Sequence, residues 1–208
     1  MDLKSTYNKI AEDWHQDHHK DDWWMEGVNK FISYFQKNDL VLDVGCGSGV
    51  KTKCLISKGL KIIGIDFSEN LIKIAKREVP NGDFQVLDIW KIDEIKEKFD
   101  GIFAQASLLH IPKKDIVSLL QKIDQKLKPS GYFYIAVKEK KSQNQDEEIV
   151  QENDYGYNYE RFFSYFTMKE LINYFQILNY KIVYKKRIFT GKKYWLQIIG
   201  QKIGRNKD

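Results

Sequence analysis

Three short stretches of this sequence place residues at spacings that could do chemistry. Val41-Leu42-Asp43-Val44 is an apolar run that ends in Gly45-Cys46-Gly47-Ser48-Gly49. Glycines at alternate positions permit a sharp turn and let a ligand lie directly on the backbone. A helix opened by that loop turns its free N–H groups toward an anionic group such as a carboxylate. A tight strand-to-helix turn would have the same look if the loop stood alone. It does not: Asp66 ends the next apolar run, near the spacing of an acid that binds ribose hydroxyls. Asp88 ends a third run, where it could accept from an adenine amine while Ile89 packs on the ring. Each aspartate alone could be a helix cap, but three such features on successive strand ends point to a nucleoside site.

The glycine spacing separates cofactor classes. A dinucleotide loop reads GxGxxG and faces a pyrophosphate; this loop reads GxGxG and lacks the Gly-Lys-Ser/Thr ending of a phosphate loop. That spacing suits the amino-acid end of S-adenosylmethionine (SAM), which carries no phosphate, with S-adenosylhomocysteine as the product form.

These residues need elements to hold them. Apolar runs at 40–44, 60–65, 84–87, 100–104 and 132–137 read as strands, the first four ending near a glycine loop, an acid or Ala104-Gln105. Helical patterns fall between them: Ser68 can cap one, Pro112 can start another, and Gly59 can close the helix after the loop. Helical periodicity covers Ser5 to Asn38, with Asp21-Asp22 expected to cap its second helix. Two β-rich runs, 181–189 and 193–199, joined by Thr190-Gly191-Lys192, form a terminal hairpin. The alternation predicts an α/β fold: a doubly wound, mostly parallel seven-stranded sheet with N-terminal helices and a terminal antiparallel hairpin. Ligands in such sheets bind beyond the carboxyl ends of the strands. Residues 1–208 are expected to be one domain, with 1–38 as a helical cap and 139–165, a polar stretch too long for a connector, as a lid or substrate segment.

Composition limits the partners. The chain has 208 residues and a net charge of +5, but its basic residues are mostly lysines interleaved with acids. A nucleic-acid surface more often clusters arginines, so nucleic acid is not the expected partner. The two cysteines, Cys46 and Cys54, form no disulfide or zinc framework and suit a reducing cytoplasm. No signal peptide or membrane span is expected. His15, His18 and His19 share a helical face, but no carboxylate-histidine signature surrounds them; a solvated helix end and no metal are expected. Nothing here fixes the oligomeric state.

Across nearly its whole length the chain resembles the class I SAM-dependent methyltransferases. The matching stretches are Tyr7–Trp14, the VLDVGCGSG loop, Gly64–Ser68, Val86–Ile89, Phe99–Ala104, Leu108–Pro112 and Leu127–Phe133. The resemblance implies strand order 3-2-1-4-5-7-6. It also implies that Gly45, Cys46 and Gly47 hold the methionine part of SAM and Asp43 orients it. Asp66 would bind ribose, Phe67 and Ile89 would pack on adenine, and Asp88 would bind its amine. Ala104 and Gln105 would lie beside the sulfonium, and Tyr7 would fold over the cofactor. The second half is similar to a small bacterial subgroup of undefined substrate, and Gln105 departs from the histidine often found there.

The acceptor side is less specific. A base helps when the acceptor is a hydroxyl or an ammonium, and His110, just past the fourth strand, is the candidate; a packed or capping histidine is the other reading. Arg161 could bind an anionic substrate or pair with an acid such as Glu139. Lys138, Tyr165 and the tyrosines at 155, 157 and 159 could wall a substrate pocket or anchor the lid. A small-molecule acceptor is the leading reading; a tRNA wobble-uridine enzyme and a non-catalytic SAM-binding protein are the alternatives. Calorimetry separates the cofactor classes: S-adenosylhomocysteine should bind and NAD should not, and preferential NAD binding would overturn the assignment.

Overall fold

A computed structural model describes residues 2–140, 146–191 and 193–204. The middle of the expected lid (141–145), Lys192 of the terminal turn and the basic residues after 204 lie outside the described residues.

Two helices, α1 (Leu3–His18) and α2 (Met25–Ile32), precede the alternating core of β1 (Leu40–Val44), α3 (Val50–Ser57), β2 (Lys61–Asp66), α4 (Glu69–Glu78) and β3 (Asp83–Val86). A short 3-10 turn (Ile89–Glu94) leads to β4 (Phe99–Gln105), and a second (Leu108–His110) leads to α5 (Lys113–Asp124) and β5 (Leu127–Lys138). Then come β6 (Glu147–Glu152), β7 (Tyr159–Ser164), α6 (Met168–Ile177), β8 (Tyr180–Phe189) and β9 (Tyr194–Lys202).

Seven strands form one sheet in the order β3-β2-β1-β4-β5-β9-β8. Strands β1 to β5 run parallel and β9 enters antiparallel between β5 and β8. This is the expected topology; the last two strands count as eight and nine because β6 and β7 pair as a separate ribbon. Side chains alternate across the sheet, as a strand buried on both faces requires. Leu42, Ile102, Phe133, Ile135 and Ile198 face α5 and α6, whereas Val41, Phe103, Tyr134 and Ile199 face α2 and α3.

Local chemistry explains most element ends. Ser68 accepts from Leu71 N–H and caps α4. Thr167 and Glu170 form a reciprocal capping box on α6. Gly59 closes α3 in the left-handed region, at φ 91°. Three expectations change. Asp21 and Asp22 do not cap α2 through their side chains; Met25 N–H bonds the Asp22 carbonyl instead. The Lys128–Gly131 turn is a bulge inside β5, since Leu127 already pairs with Phe99 and Tyr132 pairs with Gly101. The polar stretch before Tyr159 contains β6, which has no buried residue and only two apolar ones, Ile149 and Val150, side by side, so it carries no apolar period.

Replacing Thr167 by Ala removes the hydroxyl half of the capping box, leaving the Thr167 backbone N–H bond to Glu170, and should cost about 1 kcal/mol. Urea unfolding should show a lower midpoint with an unchanged slope.

Candidate active site

The glycine loop is fixed from below by β2. The N–H groups of Gly45 and Cys46 both donate to the Ile65 carbonyl, at 2.8 and 3.0 Å. Gly45 and Gly47 have φ of 70° and 56°, a region that side chains with a Cβ rarely adopt. Close approach adds a second reason at Gly45, where a Cβ would stand 2.4 Å from that of Ser107. The α1 helix covers the loop from above: the Trp14 ring lies 3.4 Å from where a Gly47 Cβ would be, and His15 Nδ1 is 2.9 Å from Ser48 Oγ. His15 is therefore buried, not part of a solvated helix end, and among the described residues no three ligands cluster for a metal.

The three aspartates stand on successive strand ends. Asp43 is buried and accepts from the Thr52 hydroxyl at 2.6 Å; burial raises its pKa to about 7. Asp66 accepts from Gly47 N–H at 3.0 Å and from Ser68 N–H at 2.9 Å, and burial raises its pKa to about 6. Those two bonds leave lone pairs on both oxygens. Asp88 accepts from Trp90 N–H at 2.9 Å and so caps the 3-10 turn while its side chain still faces the cleft.

On the acceptor side, His110 Nδ1 lies 2.7 Å from the Phe162 carbonyl, which can only accept, so Nδ1 carries the proton. Nε2 then has a lone pair, and the Tyr7 hydroxyl 2.8 Å away donates to it. Burial lowers the His110 pKa to about 3 and raises that of Tyr7, so both are neutral near pH 7. Arg161 Nη1 donates to the Tyr7 oxygen at 3.4 Å, and its Nε and Nη2 grip Glu152 at 2.5 and 2.6 Å. The acid paired with Arg161 is thus Glu152 on the facing strand, whereas Glu139 pairs with Arg187 at 2.7 Å.

One cleft of about 320 Å³ gathers most of the expected residues: Tyr7, Asp43, Gly45, Cys46, Gly47, Asp66, Phe67, Asp88, Ile89, Gln105 and His110. Ala104 does not reach it; its side chain is fully buried under the sheet with Val44 and Ile135. Lys138 and Tyr165 line a second cavity of about 190 Å³. Tyr159 packs with Tyr7, and the Tyr157 hydroxyl donates to Asp13 at 2.6 Å, so these two anchor the β6–β7 ribbon to α1.

Sequence reasoning missed Trp14, Lys51, Ala106 and Ser107 as cleft residues. Trp14 was visible only as a helical apolar residue. Ala106 and Ser107 follow β4 at a left-handed bend, φ 58° at Ala106, which no glycine signals. The Gln105 amide nitrogen and the Ser107 hydroxyl are buried here without a partner among the described residues. Buried polar atoms are rarely left so, and a polar ligand in the cleft would satisfy both.

Residues 41–131 match the family described as "Methyltransferase domain". The chain is 32% identical over 104 residues to a ubiquinone biosynthesis O-methyltransferase of Coxiella burnetii, covering 48% of this chain and 44% of that protein. It is 27% identical over 184 residues to the phosphoethanolamine N-methyltransferase of Plasmodium falciparum, covering 84% of this chain and 65% of that one. The chain thus spans less than two thirds of the length of either. A Burkholderia thailandensis 1,6-didemethyltoxoflavin-N1-methyltransferase, solved with its substrate and S-adenosylhomocysteine, shares the fold with a TM-score of 0.76 and 20% identity, over 97% of this chain and 87% of that one.

The buried acids give a pH signature. Both aspartates titrate above the ordinary value near 3.8, so each binds more protons folded than unfolded between about pH 4 and 7. The stability these two carboxyls contribute should fall as pH rises through that window, while His110, held down to about 3 by burial, contributes in the opposite direction. Affinity for S-adenosylhomocysteine should move oppositely, rising from pH 5 to 7 as Asp66 ionises, by up to about tenfold per pH unit. Asp66→Asn should weaken binding at pH 7 and remove most of the slope; an unchanged calorimetric profile would exclude Asp66 from the ribose role.

Proposed function

We infer that this chain, a class I SAM-dependent methyltransferase, moves the methyl group of SAM onto a small-molecule nucleophile. The observation that carries this is one cleft containing the left-handed glycine loop, three strand-end acids and two orphaned polar atoms. Gly45, Cys46 and Gly47 would hold the methionine part with Asp43. Asp66 would hold the ribose, and Phe67, Asp88 and Ile89 the adenine. Gln105 offers its free amide N–H groups near the reacting end, and Tyr7 closes over it from α1.

SAM, when bound, supplies a methyl group on a positive sulfur, so the acceptor's lone pair displaces a good leaving group. What remains for the chain is alignment, which can be worth several kcal/mol, and handling of the acceptor's proton. A neutral His110 with a pKa of about 3 cannot deprotonate an alkylammonium, whose pKa is near that of lysine. Its Nε2 is reached through the Tyr7 hydroxyl, so Tyr7 would take the proton of an acceptor hydroxyl, whose acidity rises as the oxygen is methylated, while passing its own proton to His110. The pair formed by His110 and Tyr7 therefore suits an O–H acceptor or a nitrogen that arrives neutral. Similar proteins are named for both oxygen and nitrogen acceptors: a ubiquinone biosynthesis O-methyltransferase, a 1,6-didemethyltoxoflavin-N1-methyltransferase and a phosphoethanolamine N-methyltransferase.

The described residues read as one domain, with α1 capping the cleft, α2 packed against the sheet, and the β6–β7 ribbon walling the acceptor side. Arg161 on that ribbon is already paired with Glu152, which argues against an RNA acceptor. Both cysteines are free, as in a reducing cytoplasm, and no described helix is long and apolar enough to cross a membrane.

A methyl-acceptor screen with labelled SAM identifies the substrate. On that substrate, His110→Ala and Tyr7→Phe should each lower kcat by about 10²-fold with S-adenosylhomocysteine affinity within a few fold of wild type. Full activity in His110→Ala would remove it from proton handling.

A further inference from the structure

The second cavity has a charge pattern that the transfer reaction leaves unexplained. Lys138, the last residue of β5, is only 7% exposed, and its ammonium sits 3.3 Å from the centre of the Phe163 ring. Three acids line the same cavity, and each is already committed. Glu152 holds Arg161 with two hydrogen bonds, Glu139 holds Arg187, and Glu148 accepts from the Tyr165 hydroxyl. Lys138 and Lys193 remain, and among the described residues neither has a carboxylate within ion-pair distance. Lys193 stands at the exposed rim. Burial lowers the Lys138 pKa to about 6, and the neighbouring charges of Lys193 and Arg161 push the same way while Glu152 opposes them. A buried amine facing two other cations is costly to keep charged unless something negative joins it.

Location gives that negative group a purpose. Lys138 lies two residues beyond Ala136, the register partner of Gln105 on β4. Strand geometry puts the two α-carbons about 8 Å apart, less than the length of a small metabolite. Phe163 lines the second cavity and touches both groups: its ring centre is 5.0 Å from that of His110 and its face carries the Lys138 nitrogen. The cavity, about 190 Å³, is large enough for one small anionic group with water.

We propose that this cavity is the anchoring subsite of the methyl acceptor, and that Lys138 and Lys193 hold an anionic group on it, a phosphate or a carboxylate. The proposal rests on the methyltransferase reading and adds the substrate's charge to it. The acceptor is then a small molecule with its nucleophile at one end, beside His110, and its anion at the other.

The test uses the full-length protein saturated with S-adenosylhomocysteine, titrated with inorganic phosphate in one arm and acetate in the other, with chloride as control. Saturable binding of phosphate or acetate is expected, and the stronger of the two names the group. Lys138→Met keeps the aliphatic stem against Phe163 and should weaken anion binding at least about tenfold, with S-adenosylhomocysteine affinity unchanged. Lys193→Met, at the exposed rim, carries no folding risk and should weaken it in the same direction. Once an acceptor is known, both variants should raise KM more than they lower kcat. No saturable binding of either anion, or wild-type anion binding in both variants, overturns the proposal. The cofactor reading is judged separately by S-adenosylhomocysteine binding to the wild type.

Discussion

A single carbonyl carries much of this structure. Ile65 oxygen receives two consecutive N–H groups of the glycine loop, and one residue later the Asp66 carboxylate receives a third from Gly47. The loop cannot take its left-handed bends at Gly45 and Gly47 and also satisfy its own amides internally, so β2 supplies the acceptors. That arrangement fixes β1 beside β2, opens α3 in the right place, and brings Asp43 and Asp66 to one cleft. Trp14 and His15 of α1 then dock on the loop, and Ser107 closes on Gly45 from the end of β4.

The second constraint is a chain of contacts crossing the top of the sheet. Glu152 on β6 holds Arg161 on β7, Arg161 reaches Tyr7 on α1, Tyr7 donates to His110 after β4, and His110 donates to the Phe162 carbonyl. Three elements remote in sequence thereby enclose one end of the cleft. Because the circuit is buried and its imidazole is neutral, its tautomer is set by the backbone and does not follow ordinary pH changes.

How much of this could be read from the residues depended on range. The strands and their alternation with helices were legible because strand-end acids, glycine turns and apolar runs are local signals, whereas the sheet order came from the family resemblance. The Ser68 cap was legible too, since a cap needs only three residues of chain. The ribbon was not: β6 has only Ile149 and Val150 as apolar residues, adjacent to each other, and none of its residues is buried, so it carries no apolar alternation. The pairing of Arg161 with Glu152 is a cross-strand contact inside that ribbon, invisible until the ribbon is seen. Ala104 was misplaced for a subtler reason. Its strand was right, but its side points into the core, and the bend at Ala106 gives the cleft face to Gln105 and Ser107. His15 was misjudged because Ser48, its partner, lies 33 residues away.

The docking of α1 has a mechanical consequence. Tyr7, Trp14 and His15 lie on one face of that helix and press on opposite ends of the same cleft: Tyr7 on the acceptor end, Trp14 and His15 on the glycine loop. Lifting that helix would uncover the glycine loop and break the Tyr7 bond to His110 together, so the two ends of the cleft rest on one element.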